Sequence, residues 1–178
     1  MPALFLDRDG TLIQDPGYLS DPAQVRIIPG VTAALGRFRD AGYALVVVTN
    51  QSGVGRGLYG WDAYEAVSSR LRDHLAAEGL ALDAELACGH APEAGETCGW
   101  RKPAPGMILV AGERLALDLS RSLLAGDKRL DIEAAAAAGL PRAAHVATGH
   151  GAAERGRLVG LRFPLDLEFL EDLSGLSP

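Results

Sequence analysis

The chain has 178 residues, a length typical of one domain, and we predict a single domain over 1–178. Hydrophobic residues make up 48% and charged residues 22% of the sequence, which excludes a disordered chain and a coiled coil. The net charge of −6 argues against a nucleic-acid partner, because nucleic-acid-binding domains usually carry a basic surplus.

The N-terminal segment over 1–7 has neither a basic region nor a long apolar core, so we expect no export signal and a cytoplasmic location. No run of about 18 apolar residues occurs, so we expect no membrane-spanning helix and no membrane partner. Two cysteines are too few for a disulfide framework. We expect the protein to be a monomer.

Apolar runs alternate with segments of helical periodicity along the chain. In chain order, the pattern predicts a strand over 4–6, a helix over 31–41, a strand over 43–48, a helix over 61–78, a strand over 85–87, a helix over 107–117, a strand over 122–125, a helix over 132–138, a strand over 143–147, an edge strand over 158–163 and a short helix over 165–173. Stretches rich in glycine and proline predict loops over 10–30, 53–60 and 88–106. Strands that alternate with helices indicate an α/β fold, a doubly wound and mainly parallel sheet with helices on both faces.

Polar side chains follow three of the predicted strands. They lie in the segments Asp7–Thr11, Thr49–Gly53 and Gly126–Asp131. Ligands of parallel α/β sheets bind beyond the carboxyl ends of the strands, so we expect these segments to meet at one pocket. Clustered carboxylates repel one another unless a cation lies among them, and Mg²⁺ takes oxygen ligands. We therefore predict a Mg²⁺ site formed by Asp7, Asp127 and the backbone carbonyl of Asp9.

The same residues suit phosphoryl transfer. A carboxylate such as Asp7 can attack phosphorus to form an aspartyl phosphate, and Asp9 can donate a proton to the leaving oxygen and then activate water. Gly10 would let the chain turn sharply so that backbone N–H groups face the phosphate. Further contacts to the phosphoryl group are predicted for Thr49, Asn50 and Lys102.

Each of these features also has a purely structural interpretation when it is taken alone. Asp7 and Asp9 could form a turn at a strand end, and Lys102 could be an ordinary solvated lysine. Thr49 and Asn50 could begin a turn or cap a helix. Asp131 could stabilise a helix N-terminus, where negative charge is favourable, and we place it outside the direct metal ligands.

Taken together, the segments resemble the four motifs of the haloacid dehalogenase (HAD) superfamily, in the same order. The matching motifs are Asp7-x-Asp9-Gly-Thr11, an apolar strand ending in Thr49-Asn50, Lys102-Pro103 and Gly126-Asp127-x-x-x-Asp131. The resemblance spans residues 4 to about 140, most of the chain. It implies a phosphatase in which Asp7 is the nucleophile, Asp9 is the acid and base, and Mg²⁺ is the cofactor.

The sequence around these motifs resembles a narrower branch of the superfamily, the heptose bisphosphate phosphatases and histidinol-phosphate phosphatases. The segments that carry this resemblance are Asp7–Leu12, Thr49–Gly53, Arg101–Met107 and Gly126–Lys128. Members of the branch lack a large cap domain. The resemblance implies that Gln51, Arg101 and Lys128 face the substrate. It also implies a phosphorylated sugar as the partner, with loss of the 7-phosphate of D-glycero-D-manno-heptose 1,7-bisphosphate in lipopolysaccharide core synthesis.

Three alternative functions stay open on this evidence. One is phosphatase action on a broader range of sugar phosphates or nucleotides, because the absence of a large cap leaves the site open. Histidinol phosphate is an alternative substrate, because the branch uses the same chemistry for both compounds. A signalling domain phosphorylated on aspartate is an alternative of another class, since such domains also combine carboxylates, Mg²⁺, a threonine and a lysine-proline pair. The position of Asp7 after the first strand, and the presence of Asp9 two residues later, argue against a signalling domain.

A loop of this branch often binds structural zinc through a Cys-x-His pair and a Cys-x-Cys pair. Cys88-Gly89-His90 matches the first pair, whereas Cys98-Gly99-Trp100 has Trp100 at the position of the fourth ligand. Structural zinc is normally held by four protein ligands. The resemblance therefore implies Cys88, His90 and Cys98 as ligands of a zinc site that is weak or absent.

Overall fold

The computed structural model describes residues 1–94 and 98–178. Within these ranges, strands and helices alternate along most of the chain. In chain order they are β1 (Ala3–Leu6), α1 (Val31–Asp40), β2 (Ala44–Asn50), α2 (Ser52–Gly55), α3 (Trp61–Ala77), β3 (Ala84–Cys88), α4 (Gly106–Arg114), β4 (Leu123–Gly126), α5 (Arg129–Ala137), β5 (Arg142–Val146), α6 (Gly151–Glu154) and β6 (Asp166–Leu170).

The strands form one sheet in the order β3-β2-β1-β4-β5-β6, and each described pairing is parallel. β1 lies in the middle, where Leu4 is level with Leu45 of β2 and with Leu123 of β4. The carboxyl ends of these three strands therefore meet at one edge of the sheet. This arrangement confirms the predicted α/β fold and brings the three polar segments together.

Helices cover both faces of the sheet, which explains why β1 is apolar at every position. Successive side chains of a strand point to opposite faces. Leu4 and Leu6 pack into the cluster that contains Phe38 of α1, whereas Phe5 packs on the other face with Met107 of α4. No described segment forms a separate cap domain over the strand ends, in agreement with the predicted absence of a large cap.

The prediction for the C-terminal part of the chain was wrong. A short helix was predicted over 165–173, but Asp166–Leu170 is the edge strand β6, and no strand forms over 158–163. Leu167 and Leu170 pack against the cores on the two faces of the sheet. Their spacing of three residues fits one face of a helix or the two faces of a strand. The strand forms because the free edge of β5 supplies partners for its backbone hydrogen bonds.

Two smaller differences concern the loops. The short helix α2 (Ser52–Gly55) covers the first three residues of the glycine-rich stretch over 53–60, which was predicted as a loop. The loop predicted over 88–106 includes residues 95–97, which lie outside the described residues. None of the helices in the described ranges is long and apolar enough to span a membrane.

Candidate active site

The strand ends enclose a pocket of about 360 Å³. Most of the residues predicted from the sequence line it. These are Asp7, Asp9, Thr49, Asn50, Gln51, Arg101, Lys102, Lys128 and Asp131. The backbone of β1 is tied to β4 at this edge, because the N–H of Asp7 donates to the carbonyl of Ala125 at 3.0 Å.

A buried lysine lies between two carboxylates at the base of the pocket. The Nζ atom of Lys102 lies 2.7 Å from Asp7 Oδ1 and 2.5 Å from Asp131 Oδ1, and it donates to the carbonyl of Val48 at 2.7 Å. Burial alone would lower the pKa of Lys102, but Asp131 and Asp7 outweigh this effect and raise it. Burial would likewise raise the pKa of Asp7, but Lys102 and Lys128 hold it below its usual value. Both groups are therefore charged at neutral pH.

Three carboxylates converge as a divalent cation would require. Oxygen atoms of Asp7, Asp127 and Asp131 lie within 4.8 Å of one another. The Oδ1 atom of Asp127 is buried and accepts no hydrogen bond from any described residue, and its ion pair with Lys128 Nζ is long, at 3.5 Å. Burial and the charge of Asp7 raise the pKa of Asp127 to about 8. A carboxylate held in this way gains a partner when a cation binds, so the cluster fits the predicted Mg²⁺.

Asp131 does more than was predicted from its position in the sequence. Its Oδ2 atom accepts the N–H of Lys128 at 3.0 Å and so caps the N-terminus of α5. Its Oδ1 atom forms the 2.5 Å ion pair with Lys102. A favourable charge at the helix N-terminus was one of the two interpretations of Asp131, but the contact with Lys102 depends on a loop that reaches the pocket from a distant part of the chain.

Gly10 contributes to the site through its lack of a side chain. Its backbone φ is +89°, and a Cβ atom there would lie 2.3 Å from Asp127 Oδ2. Its N–H donates to the carbonyl of Ile13 at 2.7 Å, so this amide is used inside the loop. The role that the structure supports for Gly10 is therefore the close approach of the loop to Asp127.

Asp9 lies beside the cluster, and two side chains orient its carboxylate. Gln51 Nε2 donates to Asp9 Oδ2 at 2.7 Å and to Thr49 Oγ1 at 2.8 Å. Arg8 forms an ion pair with Asp9 at 3.0 Å. Burial raises the pKa of Asp9 although Arg8 opposes the rise. A carboxyl group with a raised pKa can carry a proton more readily, as an acid catalyst requires.

The side chain of Asn50 holds the loop that carries Lys102. Its Nδ2 atom donates to the carbonyl of Lys102, and its Oδ1 atom accepts the N–H of the same residue, both at 3.0 Å. The structure thus gives Asn50 a positioning role, whereas its contact with phosphate stays a prediction. No local pattern indicates this role, because the two residues are 52 positions apart.

The basic residues Arg101 and Lys128 lie at the rim of the pocket, as predicted. Two further polar residues at the rim, Asp15 and His150, were not predicted from the sequence. Arg101 donates to the carbonyl of His90 at 2.8 Å. Asp15 Oδ2 lies 3.5 Å from Lys128 Nζ and 3.2 Å from His150 Nε2. Asp15 and His150 belong to loops without a motif, so only the fold shows that they border the site.

The three predicted zinc ligands are close together. Cys88 Sγ lies 3.4 Å from His90 Nδ1 and 3.5 Å from Cys98 Sγ. Ligand atoms at these separations can contact one ion. Trp100 occupies the fourth position in the sequence and is 40% exposed. The geometry thus supplies three ligands from the described part of the loop.

Comparisons with known proteins agree with this geometry. A family model described as polynucleotide kinase 3 phosphatase matches residues 3–133, and one described as HAD-hydrolase-like matches residues 99–174. The chain is 49% identical to a D-glycero-β-D-manno-heptose-1,7-bisphosphate 7-phosphatase of Mesorhizobium japonicum over 79% of this chain and 67% of the relative. It is 39% identical to the enzyme of the same name from Escherichia coli K12, over 84% of this chain and 81% of the relative.

A solved structure shows the same similarity. The D,D-heptose 1,7-bisphosphate phosphatase from B. bronchiseptica, complexed with magnesium and phosphate, is 34% identical with a TM-score of 0.86, covering 98% of this chain and 94% of that chain. The fold, site and comparisons identify a phosphatase of the HAD superfamily, a phosphoric monoester hydrolase. Within that superfamily, the chain belongs to the family of the D-glycero-β-D-manno-heptose-1,7-bisphosphate 7-phosphatases.

Proposed function

We propose that the protein removes the 7-phosphate from D-glycero-β-D-manno-heptose 1,7-bisphosphate, yielding heptose 1-phosphate and inorganic phosphate. The observation that carries this proposal is the pairing of Asp7 with Lys102 in a pocket that also contains Asp9. The names of the relatives support the choice of substrate. We assign the reaction to the supply of heptose for the lipopolysaccharide core.

In the first half of the reaction, a carboxylate oxygen of Asp7 attacks the phosphorus atom of the substrate. The bond from phosphorus to the sugar oxygen breaks, and Asp9 gives its proton to that oxygen. Lys102, at 2.7 Å from Asp7, holds the nucleophile in place and offsets negative charge as the phosphoryl group transfers. The products of this half are an alcohol and the aspartyl phosphate of Asp7, which is a mixed anhydride.

In the second half, a water molecule attacks the phosphorus atom of the aspartyl phosphate. Asp9, now a carboxylate, accepts a proton from this water as the bond between phosphorus and Asp7 breaks. Phosphate leaves, and both side chains return to their starting protonation states. The position of Asp9 beside the carboxylate cluster supports its use in both halves.

The metal site and the substrate contacts belong to the same proposal. Asp7, Asp127 and the backbone carbonyl of Asp9 would hold Mg²⁺, with Asp131 beside them. When bound, Mg²⁺ supplies positive charge that screens the substrate phosphate from the carboxylates. The pocket lining supports substrate contacts by Thr49, Asn50, Gln51, Arg101 and Lys128.

We propose that zinc, if the loop binds it, is held weakly. Cys88, His90 and Cys98 supply three ligands, whereas structural zinc sites normally have four. Metal analysis of the purified protein tests this proposal. We expect less than one zinc per chain after dialysis against a mild chelator, and a full equivalent would contradict the proposal.

The decisive assay compares kcat/KM for heptose 1,7-bisphosphate and histidinol phosphate in the presence of Mg²⁺. We expect a ratio above about 10³ in favour of heptose bisphosphate, or roughly 4 kcal/mol of differential transition-state binding. The reverse ratio would assign the protein to histidinol phosphate. Asp7→Asn should abolish turnover, whereas the same change at the exposed Asp62, which does not line the pocket, should leave it intact.

Three further predictions accompany this function. We propose that residues 1–178 act as one domain, that the protein is a monomer, and that it works in the cytoplasm. Size-exclusion chromatography with light scattering tests the second of these. A mass of about twice 18.6 kDa would contradict it.

A further inference from the structure

Arg8, which lies between the two aspartates of the first motif, is completely buried. A buried guanidinium destabilises a protein unless charged and polar partners surround it. The proposed reaction assigns no task to this residue. The residues that contact the Arg8 guanidinium therefore indicate its function.

One side of the Arg8 guanidinium contacts both oxygens of the Asp9 carboxylate. Nε donates to Oδ2 at 3.1 Å, and Nη2 donates to Oδ1 at 3.2 Å while lying 3.0 Å from Oδ2. A two-pronged contact between guanidinium and carboxylate fixes orientation as well as charge. Nη2 also donates to Gln51 Oε1 at 3.2 Å, so Arg8 and Gln51 are linked to each other and both orient the Asp9 carboxylate.

The other side of Arg8 is anchored to α3. Nη1 donates to Ser68 Oγ at 3.1 Å, and the guanidinium carbon lies 4.9 Å from the centre of the Tyr64 ring. The hydroxyl groups of Ser68 and Tyr64 both donate to Glu85 on β3. Arg8 is therefore fixed by a helix and a strand that lie outside the pocket.

The two oxygens of Asp9 have different surroundings. Oδ2 accepts hydrogen bonds from Arg8 Nε and Gln51 Nε2, which use both of its lone pairs. Among the described residues, Oδ1 accepts one hydrogen bond, from Arg8, which leaves one of its lone pairs for a proton. A proton on Asp9 is therefore best accommodated on Oδ1.

We propose that Arg8 is a positioning residue that holds Asp9 so that Oδ1 carries the transferred proton. This inference rests on the proposed phosphatase function. In the acid step, the O–H bond at Oδ1 breaks and the proton passes to the leaving oxygen as the phosphorus–oxygen bond breaks. In the base step, Oδ1 takes a proton from the attacking water.

The test compares two substrates that differ in their need for an acid. The leaving group of heptose bisphosphate is an alcohol, which must be protonated as it departs. The leaving group of 4-nitrophenyl phosphate is stable as an anion and departs without protonation. We compare values of kcat/KM, because this parameter reports the steps up to the departure of the leaving group and not the later hydrolysis of the aspartyl phosphate. For Arg8→Met we expect a loss of about 100-fold with heptose bisphosphate and less than about 10-fold with 4-nitrophenyl phosphate. KM for heptose bisphosphate should change by less than about threefold.

Two further variants keep the test informative if Arg8→Met does not fold. Arg8→Lys retains the charge but not the two-pronged contact, so its loss should be selective and smaller than that of Arg8→Met. Ser68→Ala removes the anchor at Nη1 and leaves the contacts of Arg8 with Asp9, so any selective loss should be smaller than that of Arg8→Met. Equal losses of Arg8→Lys on both substrates, or a selective loss in Ser68→Ala larger than that in Arg8→Met, would overturn the proposal.

The variant Asp9→Asn shows whether a failed prediction contradicts the role of Arg8 or the proposed phosphatase function. It should show the same selective loss as Arg8→Met, because both changes impair proton transfer. If the wild type hydrolyses simple alkyl phosphates but not heptose bisphosphate, the substrate proposal fails, and the Arg8 comparison is made with an alkyl phosphate instead. A selective loss in Asp9→Asn without one in the Arg8 variants would overturn the role of Arg8 alone.

Discussion

Replacement of Lys102 by methionine tests the buried charge arrangement at the base of the pocket. Methionine keeps a flexible apolar chain of similar length but removes the ammonium group. That group pairs with Asp7 at 2.7 Å and Asp131 at 2.5 Å and donates to the carbonyl of Val48. Lys102→Met would thus leave two buried carboxylates without their cation.

The size of the effect follows from the burial of these groups. Removing one partner of a buried ion pair destabilises a protein by about 3–5 kcal/mol. We expect Lys102→Met to lower the free energy of unfolding by that amount when no divalent cation is present. Lys128→Met is the matched control, because the Lys128 side chain is 33% exposed and its two carboxylate contacts are at 3.5 Å. Such a pair contributes about 1 kcal/mol or less.

Urea unfolding of both variants in the presence of a chelator measures the difference. We expect a clear separation between the two losses. A loss below about 1 kcal/mol for Lys102→Met, or equal losses for both variants, would show that the ammonium group does not stabilise these carboxylates as a buried ion pair.

Three other predictions concern the core and the metal site. Phe38→Ala should lower the free energy of unfolding by about 3–5 kcal/mol in urea, because the ring is buried and packs edge-on against Tyr43 at 5.1 Å; a loss below about 1 kcal/mol would contradict this packing. Gly10→Ala should weaken Mg²⁺ binding at least about tenfold by calorimetry, because its Cβ would lie 2.3 Å from Asp127 Oδ2; unchanged affinity would argue against this close approach. Saturating Mg²⁺ should raise Tm of the wild type but not of Asp127→Asn, and an equal rise in both would remove Asp127 from the metal site.

The fold could be predicted where local pattern and tertiary environment agree. The continuous apolar run over 43–48 predicts a strand covered on both faces, and β2 occupies it and extends to Asn50. The segment over 165–173 shows the limit. Its apolar spacing fits a helix, yet pairing with β5 makes it a strand. Local periodicity contains no information about a free sheet edge.

The site could be predicted where a strand end fixes the position of a side chain. Asp7 and Asp127 follow adjacent strands, and their carboxylates meet as expected. Roles that depend on long-range contacts could not be predicted in this way. Asn50 forms hydrogen bonds with the backbone of Lys102, and Arg8 donates to Ser68. Both contacts arise because the tertiary fold brings distant segments of the chain together. A motif identifies such residues without indicating which of their partners matter.

Chemical capture of the phosphorylated protein tests whether Asp7 is the nucleophile. Asp9→Asn is mixed with 4-nitrophenyl phosphate and Mg²⁺, because this leaving group departs without an acid and the aspartyl phosphate still forms. The mixture is quenched in acid at times from a few milliseconds to a few seconds, and the phosphate is located by peptide mass spectrometry. We expect phosphate on Asp7, and none when Asp7→Asn is added to the same variant. Phosphate attached to another residue, or phosphate release by Asp7→Asn at the wild-type rate, would contradict it.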